Sequence, residues 1–240
     1  MVKCKISKIN FMKLFKSLVN LLFPRVCAAC GTLLLEGEDT VCTTCRFLLP
    51  KTGYENNPNN PLAQMFFGQM PFNAVMAEFF FSKTGKVQHL IHGLKYHHCR
   101  ENGIFLGQEI GKSLLKAHDY QGVDCIIPIP LHPKKEKIRG YNQSHVIAEG
   151  ISEIMNIPIA GKCFVRSVFT DTQTKKSRED RYQNVKDIFE VKNPSQLAGK
   201  HVLLVDDVLT TGATLMSAGK ALMQVEGIKI SVATVACASN

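Results

Sequence analysis

Short apolar runs alternating with amphipathic stretches predict an α/β chain, a parallel sheet flanked by helices, with a small cysteine-rich module ahead of it. Three observations carry that reading. The runs at 72–81, 123–130, 200–205 and 228–236 are rich in aliphatic, β-branched or aromatic residues, as strands buried on both faces are. Between and after them, 87–96, 104–115, 142–155 and 214–225 repeat apolar residues at helical spacing. Ahead of the first run stand two Cys-x-x-Cys pairs, Cys27 with Cys30 and Cys42 with Cys45.

In chain order, the first 23 residues carry Lys3, Lys5, Lys8, Lys13 and Lys16, no acids, and apolar positions at Phe11, Leu14, Phe15, Leu18, Leu21 and Leu22. This spacing predicts an amphipathic helix that packs on its own domain, with a membrane surface as the alternative. Lysines interrupt every apolar run before Leu18, which leaves neither a signal-peptide core nor a membrane span, so the chain reads as cytoplasmic. Met12 is a second candidate start.

Nine cysteines cannot all pair within the chain, and only four of them cluster. Cys27, Cys30, Cys42 and Cys45 have the spacing of a closed, structural tetrathiolate zinc site. Two disulfides, redox thiols or an iron–sulfur centre are the alternatives. Cys4, Cys99 and Cys237 are scattered singly, and Cys125 and Cys163 sit in apolar contexts as packed thiols. His89, His92, His97 and His98 lack an acid or second cysteine that would complete another metal pattern. Residues 54–61 are turn-rich and polar, which marks a boundary between a module at 1–55 and a main domain at 56–240.

Hydrophobic residues make up 45% of the 240 and charged residues 20%, which excludes a disordered chain. Twenty-nine Lys and Arg against 20 Asp and Glu give a formal charge of +9. That balance favours anionic partners and leaves phosphate-rich ligands, nucleic acid and anionic lipid open.

The most informative stretch joins the strand at 200–205 to the following helix. Asp206 and Asp207 stand at the strand end, and after Val208 and Leu209 come Thr210, Thr211, Gly212, Ala213 and Thr214. A small, hydroxyl-bearing turn at a helix N-terminus turns backbone N–H groups inward and can cradle a phosphate. The adjacent carboxylates cannot serve that phosphate. They are placed to accept from neighbouring sugar hydroxyls or to hold Mg²⁺ through water. Phosphate and diol together describe a ribose 5-phosphate.

This segment resembles the 5-phosphoribosyl 1-pyrophosphate (PRPP) signature of type I phosphoribosyltransferases. Residues 127–133, with Pro130, Leu131 and His132, then Lys134, Lys135, Lys137 and Arg139, resemble the pyrophosphate loop and following helix of the ComF family. Arg166, Thr170, Gln173, Arg178, Arg181, Asn184 and Phe189 are similar to that family's long loop and return strand. The run 90–96 is similar to its helix ahead of the core, and the cysteine quartet to its N-terminal zinc module.

The resemblance implies a type I phosphoribosyltransferase fold in which Asp206 and Asp207 contact the ribose hydroxyls and residues 208–214 hold the 5-phosphate. Arg139 and residues 130–132 then meet the pyrophosphate, while Arg178 and Arg181 belong to a segment closing over the phosphates. It also implies Mg²⁺ bound with PRPP, displacement at ribose C1 with release of pyrophosphate, and a link to DNA uptake in competence. A non-catalytic PRPP or nucleotide sensor, whose zinc module meets single-stranded DNA or a helicase-like partner, is the alternative. A solvated basic face is the plainer reading of Lys134, Lys135 and Lys137. The chain lacks the length and the Cys at position 2 for a glutaminase domain. Neither the acceptor nor the oligomeric state is legible.

Overall fold

The computed structural model describes residues 24–166 and 189–238. The chain divides into two compact units, residues 1–49 and 50–240. In the smaller unit, an isolated antiparallel bridge between Val26 and Leu33 frames the first cysteine turn, and α1 (Thr43–Phe47) carries the second, with Cys42 as its N-cap and Cys45 inside it.

In chain order the larger unit contains α2 (Pro61–Gln64), β1 (Ala74–Phe81), α3 (Lys86–Tyr96) and α4 (Arg100–Leu114). Then come β2 (Cys125–Pro128), α5 (Pro133–Arg139), α6 (Gln143–Met155), β3 (Phe164–Arg166) and β4 (Phe189–Val191). The chain finishes with β5 (His201–Leu209), α7 (Ala213–Leu222) and β6 (Lys229–Ala238). Four strands form one sheet in the order β1-β6-β5-β2, every pair parallel, while β3 and β4 make a separate antiparallel pair. Because all four strands run the same way, the chain ends that leave β2 and β5 emerge on one edge, where α/β sheets place their ligands.

Two layers cover the sheet. On one face α7 buries Leu215, Ala218 and Leu222 against strand residues that include Val75, Leu204 and Val232. On the other, Ser113 of α4 donates to the buried Glu78 of β1 across 3.0 Å, and α6 packs on α4 and β5. The α4–α6 crossing is close because it is lined by glycine. A Cβ on Gly107 would fall on the Ile147 carbonyl, and one on Gly150 on the Ile104 carbonyl.

Residues just after the unit boundary are strapped to β1. Phe80 N–H donates to the Pro50 carbonyl at 2.8 Å, Thr52 N–H to the Glu78 carbonyl at 3.0 Å, and Lys51 Nζ lies 2.7 Å from Glu78 Oε1. The turn-rich stretch at 54–61 is held there too, since Asn60 caps α2 and donates to the Val75 carbonyl at 2.8 Å.

One local feature differs from the sequence reading and another agrees with it. The strand expected at 200–205 runs to Leu209, so Asp206 and Asp207 lie within β5 and Asp206 pairs with Thr234 of β6. Ladder hydrogen bonds belong to the backbone, so polar side chains do not end a strand whose neighbour continues. The lysines at 134, 135 and 137 form one exposed face of α5, started by Pro133 at the first helical position and His132 as N-cap.

Replacing Gly150 with Ala forces α6 away from α4. Chemical denaturation is expected to show a loss of about 2–3 kcal/mol, the usual scale of an overpacked core.

Candidate functional site

At the carboxyl edge, β5 delivers two adjacent acids whose environments differ. Asp206 Oδ1 accepts from the Ser144 hydroxyl at 3.0 Å and from the Asp207 N–H at 2.8 Å. Asp207 Oδ2 lies 2.7 Å from Lys95 Nζ in a pair that is mostly buried on both sides. Oδ2 of Asp206 and Oδ1 of Asp207 have no partner among the described residues, so each acid keeps one oxygen free. Burial, and then the neighbouring Asp207 charge, push the Asp206 carboxyl up to about 7, against the opposing pull of Ser144, the Asp207 N–H and Lys95.

Three elements hold these partners in place. Asn142 caps α6 by accepting from Ser144 N–H at 3.1 Å and donates to the Ile129 carbonyl at 2.9 Å, which ties the start of α6 to the end of β2. Tyr141 donates its hydroxyl to the Leu94 carbonyl at 2.6 Å, a last-turn acceptor of α3 left open by the helix end. Arg139 donates to Gln143 Oε1 at 2.7 Å and lies over the Tyr96 ring, 5.7 Å from its centroid.

Beyond Leu209 the chain turns through Thr210, Thr211 and Gly212 into α7. Gly212 is the N-cap, with φ of 75° and no side chain to accept from the first-turn N–H groups. Those donors therefore face whatever sits at the turn. Glycine is required twice over, by the positive φ and because a Cβ there would lie 2.8 Å from the Phe66 ring. Thr210, Thr211, Ala213 and Thr214 are exposed. Val208 is partly buried and Leu209 packs in the core.

The residues read as a pyrophosphate loop are placed less uniformly. Pro130 and Leu131 line a cavity of about 750 Å³ together with Asn142, His145, Lys162 and Arg166. His132 spends its ring on capping α5, its Nδ1 accepting from Lys134 N–H at 3.2 Å. Arg178 and Arg181 lie outside the described residues. Lys95, Ser144, His145 and Lys162 were not singled out from sequence. Lys95 belongs to the recognised 90–96 run, but nothing in one chain's order announces that it reaches an acid more than a hundred residues away.

In the smaller unit Cys27, Cys30, Cys42 and Cys45 converge, their sulfurs all within 4.8 Å of one another. None is in a disulfide, and Cys30 and Cys42 Sγ are 3.9 Å apart, close to the roughly 3.8 Å edge of a tetrahedron with Zn–S bonds of 2.3 Å. Backbone N–H groups of Cys42 and Cys45 donate to Cys27 and Cys42 sulfur at 3.3 and 3.4 Å, which fixes the two sulfurs in place. A hydrogen bond from the Thr32 side chain is the first cause that lowers the Cys30 thiol to about 6. The donor set fits a four-coordinate zinc ion. Among the described residues no second such cluster occurs. No described helix is long and apolar enough to cross a membrane.

A phosphoribosyl transferase domain family matches residues 143–239, which holds α6, β5, the turn and α7. Competence protein F of Haemophilus influenzae is 27% identical over 217 residues, covering 86% of this chain and 94% of the relative. DNA utilization protein YhgH of Escherichia coli K12 is 26% identical over 212 residues, 84% of this chain and 92% of the relative. Competence protein ComFC of Bacillus subtilis is 34% identical over 99 residues, 41% of this chain and 38% of the relative. Among solved structures, the glutamine PRPP amidotransferase of B. subtilis aligns at TM-score 0.38 and 18% identity over 54% of this chain, which spans a quarter of that enzyme. Adenine phosphoribosyltransferase of Saccharomyces cerevisiae aligns at TM-score 0.38 and 14% identity, over 58% of this chain and 69% of that one.

Two predictions follow from the geometry. A carboxyl whose folded pKa is raised costs stability once ionised, so its contribution is retained in acid and lost as pH rises toward about 7. Asp206→Asn, whose amide oxygen can still accept from Ser144, should raise the melting temperature by about 2–4 °C or more at pH 8, with the gain shrinking toward pH 5. Elemental analysis of purified chain should find one zinc per molecule, and Cys42→Ser should lose it without altering the thermal transition of the larger unit.

Proposed function

From a chain that is a ComF-type, phosphoribosyltransferase-like protein, we propose that it binds PRPP and transfers the phosphoribosyl group at C1 with release of pyrophosphate. The observation that carries the proposal is the pairing of two features at one sheet edge. One free oxygen on each of Asp206 and Asp207 matches a vicinal diol, and beside them lies a helix N-terminus with no side-chain cap. A phosphate and a diol held at that spacing belong to a ribose 5-phosphate.

Ser144 and the Asp207 N–H keep Asp206 turned so that its remaining oxygen accepts from the sugar. The N–H groups at Gly212 and the first turn of α7, with the hydroxyls of Thr210, Thr211 and Thr214, bind the 5-phosphate. Residues 208 and 209 position these groups through their backbone. Arg139 and the Pro130–Leu131 loop, with Lys162 and Arg166 around the adjoining cavity, form the cationic side toward the pyrophosphate, and His145 lines the same cavity. Arg178 and Arg181 are proposed to meet the same phosphates. Donors fixed where the leaving oxygens gain charge lower the barrier to breaking the C1–O bond, so no protein nucleophile is needed. Asp206 and Asp207 are also the residues that would hold Mg²⁺ with PRPP, an ion that supplies charge neutralisation on the leaving group when bound.

The relatives' names connect the family with competence and DNA utilization. We place this chain in the cytoplasm, where PRPP is available, and retain single-stranded DNA or a helicase-like protein as the proposed partner of the cysteine unit. Calorimetry with PRPP and Mg²⁺ should give saturable binding that weakens about tenfold or more in Asp207→Asn, the scale of a lost charged hydrogen bond. Pyrophosphate release with an added acceptor identifies the transferase; tight binding with no release across acceptors identifies a sensor. Binding that Asp207→Asn leaves intact but that falls steeply with salt would instead belong to the basic surface.

A further inference from the structure

We propose that Lys95 is a positioning residue that occupies Asp207 in the ligand-free protein, so that the acid pair admits a divalent cation only together with an anionic sugar diphosphate. This rests on the PRPP reading and says how that site is loaded.

Lys95 Nζ stands 2.7 Å from Asp207 Oδ2, with the two side chains only 20% and 18% exposed. It has no other partner among the described residues. Its backbone is held on both sides: Leu94 by the Tyr141 hydroxyl at 2.6 Å, and Tyr96 between the His92 ring, 4.7 Å away, and the Arg139 guanidinium. The ammonium therefore projects toward the acids from a fixed helix end. Without it, Asp206 and Asp207 would be two neighbouring acids, the charge of one felt by the other, at a partly desolvated edge with no ammonium beside them, an arrangement that attracts a divalent cation.

A cation arriving alone must take its place beside an ammonium that has just lost its counter-charge and is still shielded from water. That state leaves a charge uncompensated, which is costly. A cation arriving with a diphosphate brings anionic oxygens that give the displaced ammonium a new partner. Cation and sugar diphosphate thus favour each other's binding through Lys95, and by linkage each tightens the other by the same factor.

The test uses Mn²⁺ as a paramagnetic probe on zinc-loaded full-length chain, titrated by electron paramagnetic resonance with and without PRPP. Without PRPP, Lys95→Met should bind Mn²⁺ about tenfold or more tightly than wild type, equivalent to roughly 1.4 kcal/mol. Lys95→Arg should exclude Mn²⁺ as wild type does, and Lys95→Met with Asp207→Asn should lose the gained site. PRPP should raise Mn²⁺ affinity sharply in wild type and little in Lys95→Met. The proposal is overturned if Lys95→Met and wild type differ by less than about twofold without PRPP, or if wild type takes Mn²⁺ as tightly without PRPP as with it. Should PRPP bind no variant by calorimetry, the PRPP reading fails alone, because the ligand-free Mn²⁺ comparison still decides the role of Lys95.

Discussion

Consecutive carboxylates inside a strand set the terms for the whole carboxyl edge of the sheet. Asp206 is held away from water and still feels the Asp207 charge, so the protein itself relieves the two acids. Asp206 is relieved by donors, Ser144 and an N–H from its own neighbour, and by a raised proton affinity. Asp207 is relieved by a full charge on Lys95. Each solution calls on a different helix, α6 for the hydroxyl and α3 for the ammonium. The packing of both helices is thus bound up with the electrostatics of two residues on β5. Such an arrangement is costly in the ligand-free protein, a cost that the proposed sugar diphosphate would offset.

Glycine contact between α4 and α6 is the packing side of the same constraint. A hydroxyl as short as that of Ser144 reaches β5 only if its helix lies close to the sheet, and α6 has α4 lying against it. Gly107 and Gly150 remove the side chains that would otherwise hold the two helices apart. Glu78 shows a comparable tension lower on the same face. Its carboxyl is buried, one oxygen is satisfied by Lys51 and Ser113, and the other has no partner. Burial raises the Glu78 carboxyl, which favours a proton there over a second buried charge. Lys51 reaches Glu109 as well, at 3.4 Å, so the residue just past the unit boundary is anchored by two acids from different elements.

Much of this was legible in the chain, and the limit has a physical cause. Strands buried on both faces leave continuous apolar runs, so β2, β5 and β6 stood out, and paired cysteines announce a metal geometry because thiolates must converge at a fixed radius. The turn at Gly212 was readable because its requirement is local. Lys95 and Ser144 were not, since their roles arise from contacts 112 and 62 positions away in sequence, made only when three elements pack. The strand end was misjudged at Asp206 for a related reason. Side-chain polarity reports solvent, whereas strand length is decided by whether β6 still offers backbone partners, and β6 continues to Ala238.

The two units draw on different sources of stability, and this separates their chemistry. Residues 24–49 have few buried apolar side chains and are organised around four sulfurs, so an ion bound there would supply free energy that so short a segment cannot obtain from a core. The larger unit has a sheet packed on both faces and obtains its core from apolar side chains. A change in metal supply or thiol redox state therefore acts on the cysteine unit first, leaving the acid pair and the glycine turn intact. The proposed sugar-phosphate binding and any contact made through the cysteine unit would accordingly be open to independent control, which a single shared core would not permit.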